Sequence, residues 1–171
     1  MSKSIYSIGH SNHSIEKFLN LLKDFQIEVL VDIRSHPYSK YSSQFDMDNL
    51  KQSVKKSGMK YLYMGDELGG KPQDTKFYDR HGNVIYSLIA QSLPFLEGIS
   101  RLEKGLKYHR VAIMCSEENP VKCHRSLLVG QVLTERSIII FHIRGDGRLQ
   151  TDDELIHDDG DVSGPIQLSL F

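Results

Sequence analysis

Both cysteines of the chain lie in one short stretch, Val111 to Arg125, together with Glu117, Glu118, His124 and Arg125. Such a set of side chains offers several chemistries. A zinc site would draw on Cys115, Cys123 and His124, with His10 from elsewhere, although seven residues between the cysteines is not a usual zinc-ligand spacing. Redox use needs only the two thiols, without the short Cys-x-x-Cys motif. A nucleophilic Cys115 would need a phosphate cradle closed by Arg125. Nine residues intervene, Glu117 and Glu118 among them and no glycine, and carboxylates repel an anion. Burial as small apolar side chains is the ordinary fate of cysteines.

The carboxylates suit a different reaction. Asp32 or Glu117 can activate water or stabilise positive charge on a sugar, with His10 orienting or transferring a proton. Arg34 and Arg125 are the expected phosphate or anion holders. Arg125 falls in the first turn of an expected helix, where a cation opposes the helix dipole, and near its apolar face. A side chain placed against both preferences has a task, either gripping an anion over free helix amides or pairing with Asp32 or Glu117. Tyr78, and with it Tyr38 and Tyr41, can stack on a base or serve as ordinary loop aromatics.

These groups need a scaffold that brings distant residues together. Apolar runs at Ser4–Ile8, Glu28–Ile33, Lys60–Tyr63, Arg110–Met114 and Ser137–Ile143 read as strands. Between them, Ile15, Phe18, Leu19, Leu22 and Phe25 repeat at helical spacing behind a Ser14 cap. Further helices are expected over 46–57, 86–93, 95–107 and from Cys123 onward, with a break near Pro94. The alternation predicts an α/β fold: three layers, with a mostly parallel, Rossmann-like sheet of about five strands and helices on both faces. In such a sheet the strands' carboxyl ends share one edge, where His10, Asp32 with Arg34, Cys115 with Glu117, and His142 with Arg144 would converge.

Composition narrows the class. The 171 residues suit one domain, residues 1–149, and a net charge of -1 leaves no bulk field to attract nucleic acid or a membrane surface. No apolar run approaches a membrane span and the start has no signal-like segment, so a cytoplasmic protein is expected. Residues 150–166 are acidic and then Gly/Pro-containing, which reads as a linker to the apolar pentapeptide 167–171. No residue pattern names a cofactor.

Four blocks resemble a known family in the right order: Ser7–Ser11, Leu30–Pro37, Tyr63–Gly70 with its Leu68-Gly69-Gly70, and Met114–Arg125. They are similar to the blocks of the bacterial and archaeal domain of unknown function 488, over roughly residues 4 to 145. The resemblance implies a compact α/β domain and a site at His10, Asp32, Arg34, Cys115, Glu117, Cys123, His124 and Arg125. It implies no reaction. The tail resembles the short peptide that docks bacterial polymerases and repair proteins on the sliding clamp. Gln167 matches the leading glutamine, Leu168 the second position and Ser169 the small polar one, with Leu170 and Phe171 as the hydrophobic pair. Docking of the tail on its own domain is the alternative. Together these readings lead to an expected enzyme of DNA repair or replication, acting on DNA or a nucleotide-like phosphate-bearing substrate and recruited by the clamp. The alternative is a non-catalytic DNA-maintenance or regulatory module whose charged cluster is an ion-pair or metal network.

Overall fold

The computed structural model describes residues 3–161. Its frame is a six-stranded mixed sheet. Strands β1 (Lys3–Gly9), β2 (Val29–Asp32), β3 (Lys60–Tyr63), β4 (Val111–Cys115) and β5 (Ile138–Ile143) pair in parallel, and β6 (Leu149–Thr151) runs antiparallel to β5. The spatial order is β3-β2-β4-β1-β5-β6. The five expected strands are all present, and the sixth is an addition. In the dinucleotide-binding doubly wound order the first two strands are not separated by the fourth; here β4 inserts between β1 and β2.

Side chains of successive strand residues point to opposite faces, so each central strand feeds two cores. Ile5, Val31, Ile113 and Ile140 pack on one face with Leu68, Phe95, Ile99, Leu128 and Leu133. Tyr6, Ile8, Leu30 and Met114 pack on the other with Phe18, Leu22, Leu50 and Val54. Helices therefore cover both faces. The second face carries α1 (Ile15–Asp24) and α2 (Met47–Lys56). The first carries α3 (Gly65–Leu68), α4 (Tyr86–Ala90), α5 (Leu93–Gly105), a π-helical segment (Arg125–Gly130) and α6 (Gln131–Glu135). Burial on both sides explains why β2 and β4 are wholly buried and read as continuous apolar runs.

Local chemistry sets the boundaries. The Ser14 hydroxyl accepts from the Lys17 amide and caps α1. Pro94 does not break its helix but sits in the first turn of α5, where its missing N–H would have had no partner anyway. The expected helix after Cys123 starts as a π-helical turn before α6. The acidic stretch was expected to be linker from residue 150. Its first part instead forms the end of β6 and α7 (Asp152–Asp161), held by the buried Leu155. Residues 162–171, with the whole pentapeptide, lie outside the described residues. No helix among the described residues is long and apolar enough to cross a membrane.

Candidate functional site

The register puts Gly9 beside Cys115, and Asp32 beside both Met114 and Tyr63, so the carboxyl ends of β1 to β4 share one edge. Strand alternation then separates the expected site residues. Asp32 continues the face of Leu30, under α1 and α2, whereas Cys115 continues the face of Ile113, under the π-helical segment. Two clusters result, not one.

The first cluster is closed. Arg34 grips Asp32 with two guanidinium bonds, Nε to Oδ1 at 2.9 Å and Nη2 to Oδ2 at 2.7 Å, and its amide adds a third at 3.2 Å. The Tyr61 hydroxyl donates to Oδ2 at 2.6 Å, and Arg34 Nη2 also reaches the Phe45 carbonyl at 2.8 Å. Asp32 is fully buried and Arg34 nearly so. Every lone pair that an acid or base would use is already taken. His10 completes the cluster: its ring stacks on Phe45 at 4.5 Å and lies 2.7 Å from the Ser11 carbonyl through Nδ1. A carbonyl only accepts, so Nδ1 carries the proton and Nε2 accepts from Arg34 Nη1 at 3.3 Å. Burial pushes His10 down from 6.5 to about 4, with the Arg34 charge adding to the effect, so the ring is neutral at pH 7. Burial pushes the Tyr61 hydroxyl up, and the Asp32 carboxylate to which it donates raises it further.

The second cluster surrounds a cavity of about 220 Å³. Its walls bring together Arg34, Ser35 and His36 after β2, Gly70 and Lys71, Tyr86, and Cys115, Ser116, Glu117, Lys122, Cys123 and His124 around the β4 loop. Glu117 is the one carboxylate on those walls, and it is exposed. Glu118 is occupied elsewhere. It takes two bonds from Arg144, at 2.9 and 3.0 Å, and one from the Gly145 amide, which hold it down at about 2. His124 donates from Nε2 to the Ile33 carbonyl at 3.0 Å, and burial lowers its basicity. The two sulfurs stand 2.6 Å apart.

Arg125 does not reach into the cavity. It is 1% exposed, and its Nη2 donates to the Glu117 and Glu118 carbonyls at 2.9 and 2.8 Å. Its task is thus to brace the β4 loop from behind, which explains a cation at the start of a helical segment. It pairs with neither Asp32 nor Glu117, and Nε and Nη1 have no partner among the described residues.

Glycines set these close approaches. A Cβ on Gly9 would stand 1.7 Å from the Glu117 carbonyl oxygen, so β1 and the β4 loop touch only because Gly9 has no side chain. His10 and Ser11 amides then bond the Cys115 and Ser116 carbonyls at 3.0 and 2.8 Å. In the Leu68-Gly69-Gly70 block, Leu68 is core, Gly69 lies against Ser35 and Gly70 against His124.

Residues 14–132 match the family described as domain of unknown function DUF488. The chain belongs to that family. The match contains the blocks around Asp32, Leu68 and Cys115 and therefore the whole of the cavity wall; the Ser7–Ser11 block precedes it. No curated protein and no solved structure matches the chain.

Among the expected residues, the structure thus gathers Arg34, Glu117, Cys115, Cys123 and His124 at the cavity and leaves Asp32, His10 and Arg125 enclosed. Tyr78 does not line the cavity; it is half-buried and its hydroxyl is tied to the Pro72 carbonyl at 2.7 Å, while Tyr86 is the aromatic at the wall. Among the described residues no group of three His, Cys, Asp or Glu side chains is placed to hold a metal ion. His10, the expected further ligand for Cys115, Cys123 and His124, is turned to Arg34 instead. Sequence reading missed Lys71, Lys122 and Tyr61. Lys122 lies within a block already singled out, Lys71 directly follows one and Tyr61 faces Asp32 in another, but lysines and tyrosines carry no spacing signal that separates a wall residue from a solvated one.

A third polar set lies on β5. The Ser7 hydroxyl donates to His142 Nδ1 at 2.5 Å, and His142 Nε2 donates to Asp152 Oδ1 at 2.7 Å. The order is that of a serine triad, but Ser7 is fully buried in mid-strand. The line of bonds fastens the start of α7 to the sheet.

Proposed function

We propose that this DUF488 chain is an enzyme acting on DNA or a nucleotide-like, phosphate-bearing substrate, with a phosphate-bearing unit held in the cavity at the carboxyl edge of the sheet. The observation that carries the reading is the wall itself. Lys71 and Lys122 supply positive charge, Ser35 and Ser116 supply hydroxyls, and Glu117 is the single carboxylate. The ammonium groups hold phosphate as point charges, and Glu117 takes a proton from an attacking water. Asp32 and Arg34 position the edge rather than react, since they satisfy one another. The cavity's place also supports a Rossmann-like reading of the sheet, in which ligands bind beyond the carboxyl ends of the strands.

The wider reading is that the protein works in DNA repair or replication in the cytoplasm, with Gln167, Leu168, Ser169, Leu170 and Phe171 docking on the sliding clamp. Its support is the likeness of that pentapeptide, which begins six residues after the end of α7 at Asp161. Tethering would give a protein of net charge -1 access to DNA that its own field does not provide.

Titration with inorganic phosphate and a nucleoside monophosphate, followed by amide NMR, tests the cavity. Shifts should centre on residues 34–36, 70–71 and 115–124 and vanish in the Lys71→Ala/Lys122→Ala double variant. Turnover on modified or abasic DNA should be lost in Glu117→Gln with phosphate binding retained. Shifts elsewhere, or none, sink the reading. Clamp binding that survives deletion of residues 167–171 sinks the tethering. The non-catalytic module has one observation in its favour, the mutual saturation of Asp32 and Arg34, and would give no turnover with any variant.

A further inference from the structure

The proposed reaction leaves the two cysteines unused, yet in the cavity wall their sulfurs face one another at 2.6 Å. Cys115 ends β4 and Cys123 immediately precedes the turn that enters the π-helical segment. Their sulfurs are 2.6 Å apart while both are free thiols, and each side chain borders the cavity although little of its surface meets solvent. Behind them stands Arg125, a buried cation that forms no ion pair among the described residues and whose Nε and Nη1 are unpartnered. A buried guanidinium without a carboxylate calls for another negative charge nearby. The two thiols also differ. The hydrogen bond from Cys123 holds the Cys115 thiol below its ordinary value, with Arg125 lowering it further, and the same bond pushes Cys123 up. Of the two, Cys115 therefore holds its proton the less tightly.

We propose that Cys115 and Cys123 form a peroxide-oxidised dithiol site, in which Cys115 attacks a small hydroperoxide entering the cavity and Cys123 resolves the product as an intramolecular disulfide. The Cys115 sulfur attacks one peroxide oxygen and the O–O bond breaks. The departing oxygen takes up the proton that Cys115 had released, leaving as water or an alcohol, and Cys115 is left as the sulfenic acid. The Cys123 sulfur then attacks the Cys115 sulfur. The S–O bond breaks, and the hydroxide leaves as water with the proton of Cys123. Two thiols have lost two electrons in total and the peroxide has gained them. A dithiol reductant returns two electrons and two protons and restores the pair. The cavity, at about 220 Å³, admits a hydroperoxide. The bond that forms ties the end of β4 to the start of the next segment across the Glu117 loop, so oxidation and the state of the cavity are linked. The site does not depend on the phosphate reading, and its test contains no phosphate.

The full-length, reduced protein is treated with hydrogen peroxide at pH 7 and read by intact mass, thiol alkylation and peptide mapping. Each molecule is expected to lose both alkylatable thiols together, faster folded than in urea, with a Cys115–Cys123 cross-linked peptide that dithiothreitol reverses. In Cys123→Ser a dimedone adduct should accumulate at Cys115, whereas in Cys115→Ser the adduct at Cys123 should form several-fold more slowly. The proposal is overturned if the folded protein keeps both thiols while the urea-unfolded chain is oxidised, or if the cross-link joins two molecules. Equal adduct formation in the two single variants also overturns it. The wild-type cross-link map decides the matter even if a variant fails to fold.

Discussion

Replacing Asp32 by asparagine separates a structural carboxylate from a catalytic one. The side chain keeps its size, so no cavity opens, but the charge disappears from a fully buried position. Arg34, with 4% of its side chain exposed, is left as a buried cation whose remaining partners are the Phe45 carbonyl and the His10 ring. The new amide also turns N–H donors toward either Arg34 or Tyr61, which are donors themselves. Breaking one partner of a buried pair costs about 3–5 kcal/mol, against a total domain stability of roughly 5–15 kcal/mol. Urea unfolding followed by far-UV circular dichroism measures this, as the chain has no tryptophan. The midpoint should fall steeply at an unchanged denaturant slope. Replacing both residues, Asp32→Leu with Arg34→Met, should recover much of the loss, because the desolvation cost of the pair goes with it. A loss below about 1 kcal/mol in Asp32→Asn would refute the closed-pair argument. It would return Asp32 to the candidates for acid–base chemistry.

Two further outcomes follow from the same geometry. Gly9→Ala places a methyl group 1.7 Å from the Glu117 carbonyl oxygen, so the β4 loop must move; a destabilisation of about 3 kcal/mol or more is expected at the upper end of overpacking costs, with shifted amide signals at residues 115–124. Wild-type stability there would mean that β1 and the loop do not touch. His10 takes up a proton near 6.5 when unfolded but only near about 4 when folded, so the unfolded chain binds more protons between those values. Stability must therefore fall as pH drops from 6.5 toward 4, by about 2 kcal/mol at pH 5 for this residue. His13, His124 and His142 are lowered too and act in the same direction, so the His10 share is the difference between wild type and His10→Gln. Glu118, held at about 2, loses its contribution as pH falls through and below 4.5, but equally in both proteins, so it cancels from that difference. Parallel pH profiles of wild type and His10→Gln would contradict the enclosed, neutral ring.

The strands were legible in the sequence because a strand buried on both faces has to be apolar throughout, as Val29–Val31 and Val111–Met114 are. Helix starts were legible where a side chain closes a local bond, as Ser14 does. The acidic stretch misled because charge says nothing about one buried leucine: Leu155 is buried beneath α7, and the Asp152–His142 bond ties its start to the sheet. The functional residues divided in the same way. Their types and their position at strand ends could be read directly, since both follow from local pattern.

By itself, then, the sequence determined an α/β domain with reactive side chains at the strands' carboxyl edge, because periodicity and residue chemistry are local properties. Only the tertiary structure decided which of them meet. The alternation of side chains along β2 and β4 sends Asp32 to one face and Cys115 to the other, and the glycines at positions 9 and 70 set how closely the loops approach. From those non-local packings it follows that Asp32 is locked to Arg34, that Arg125 props the loop, and that Glu117, two lysines and a pair of thiols share the cavity.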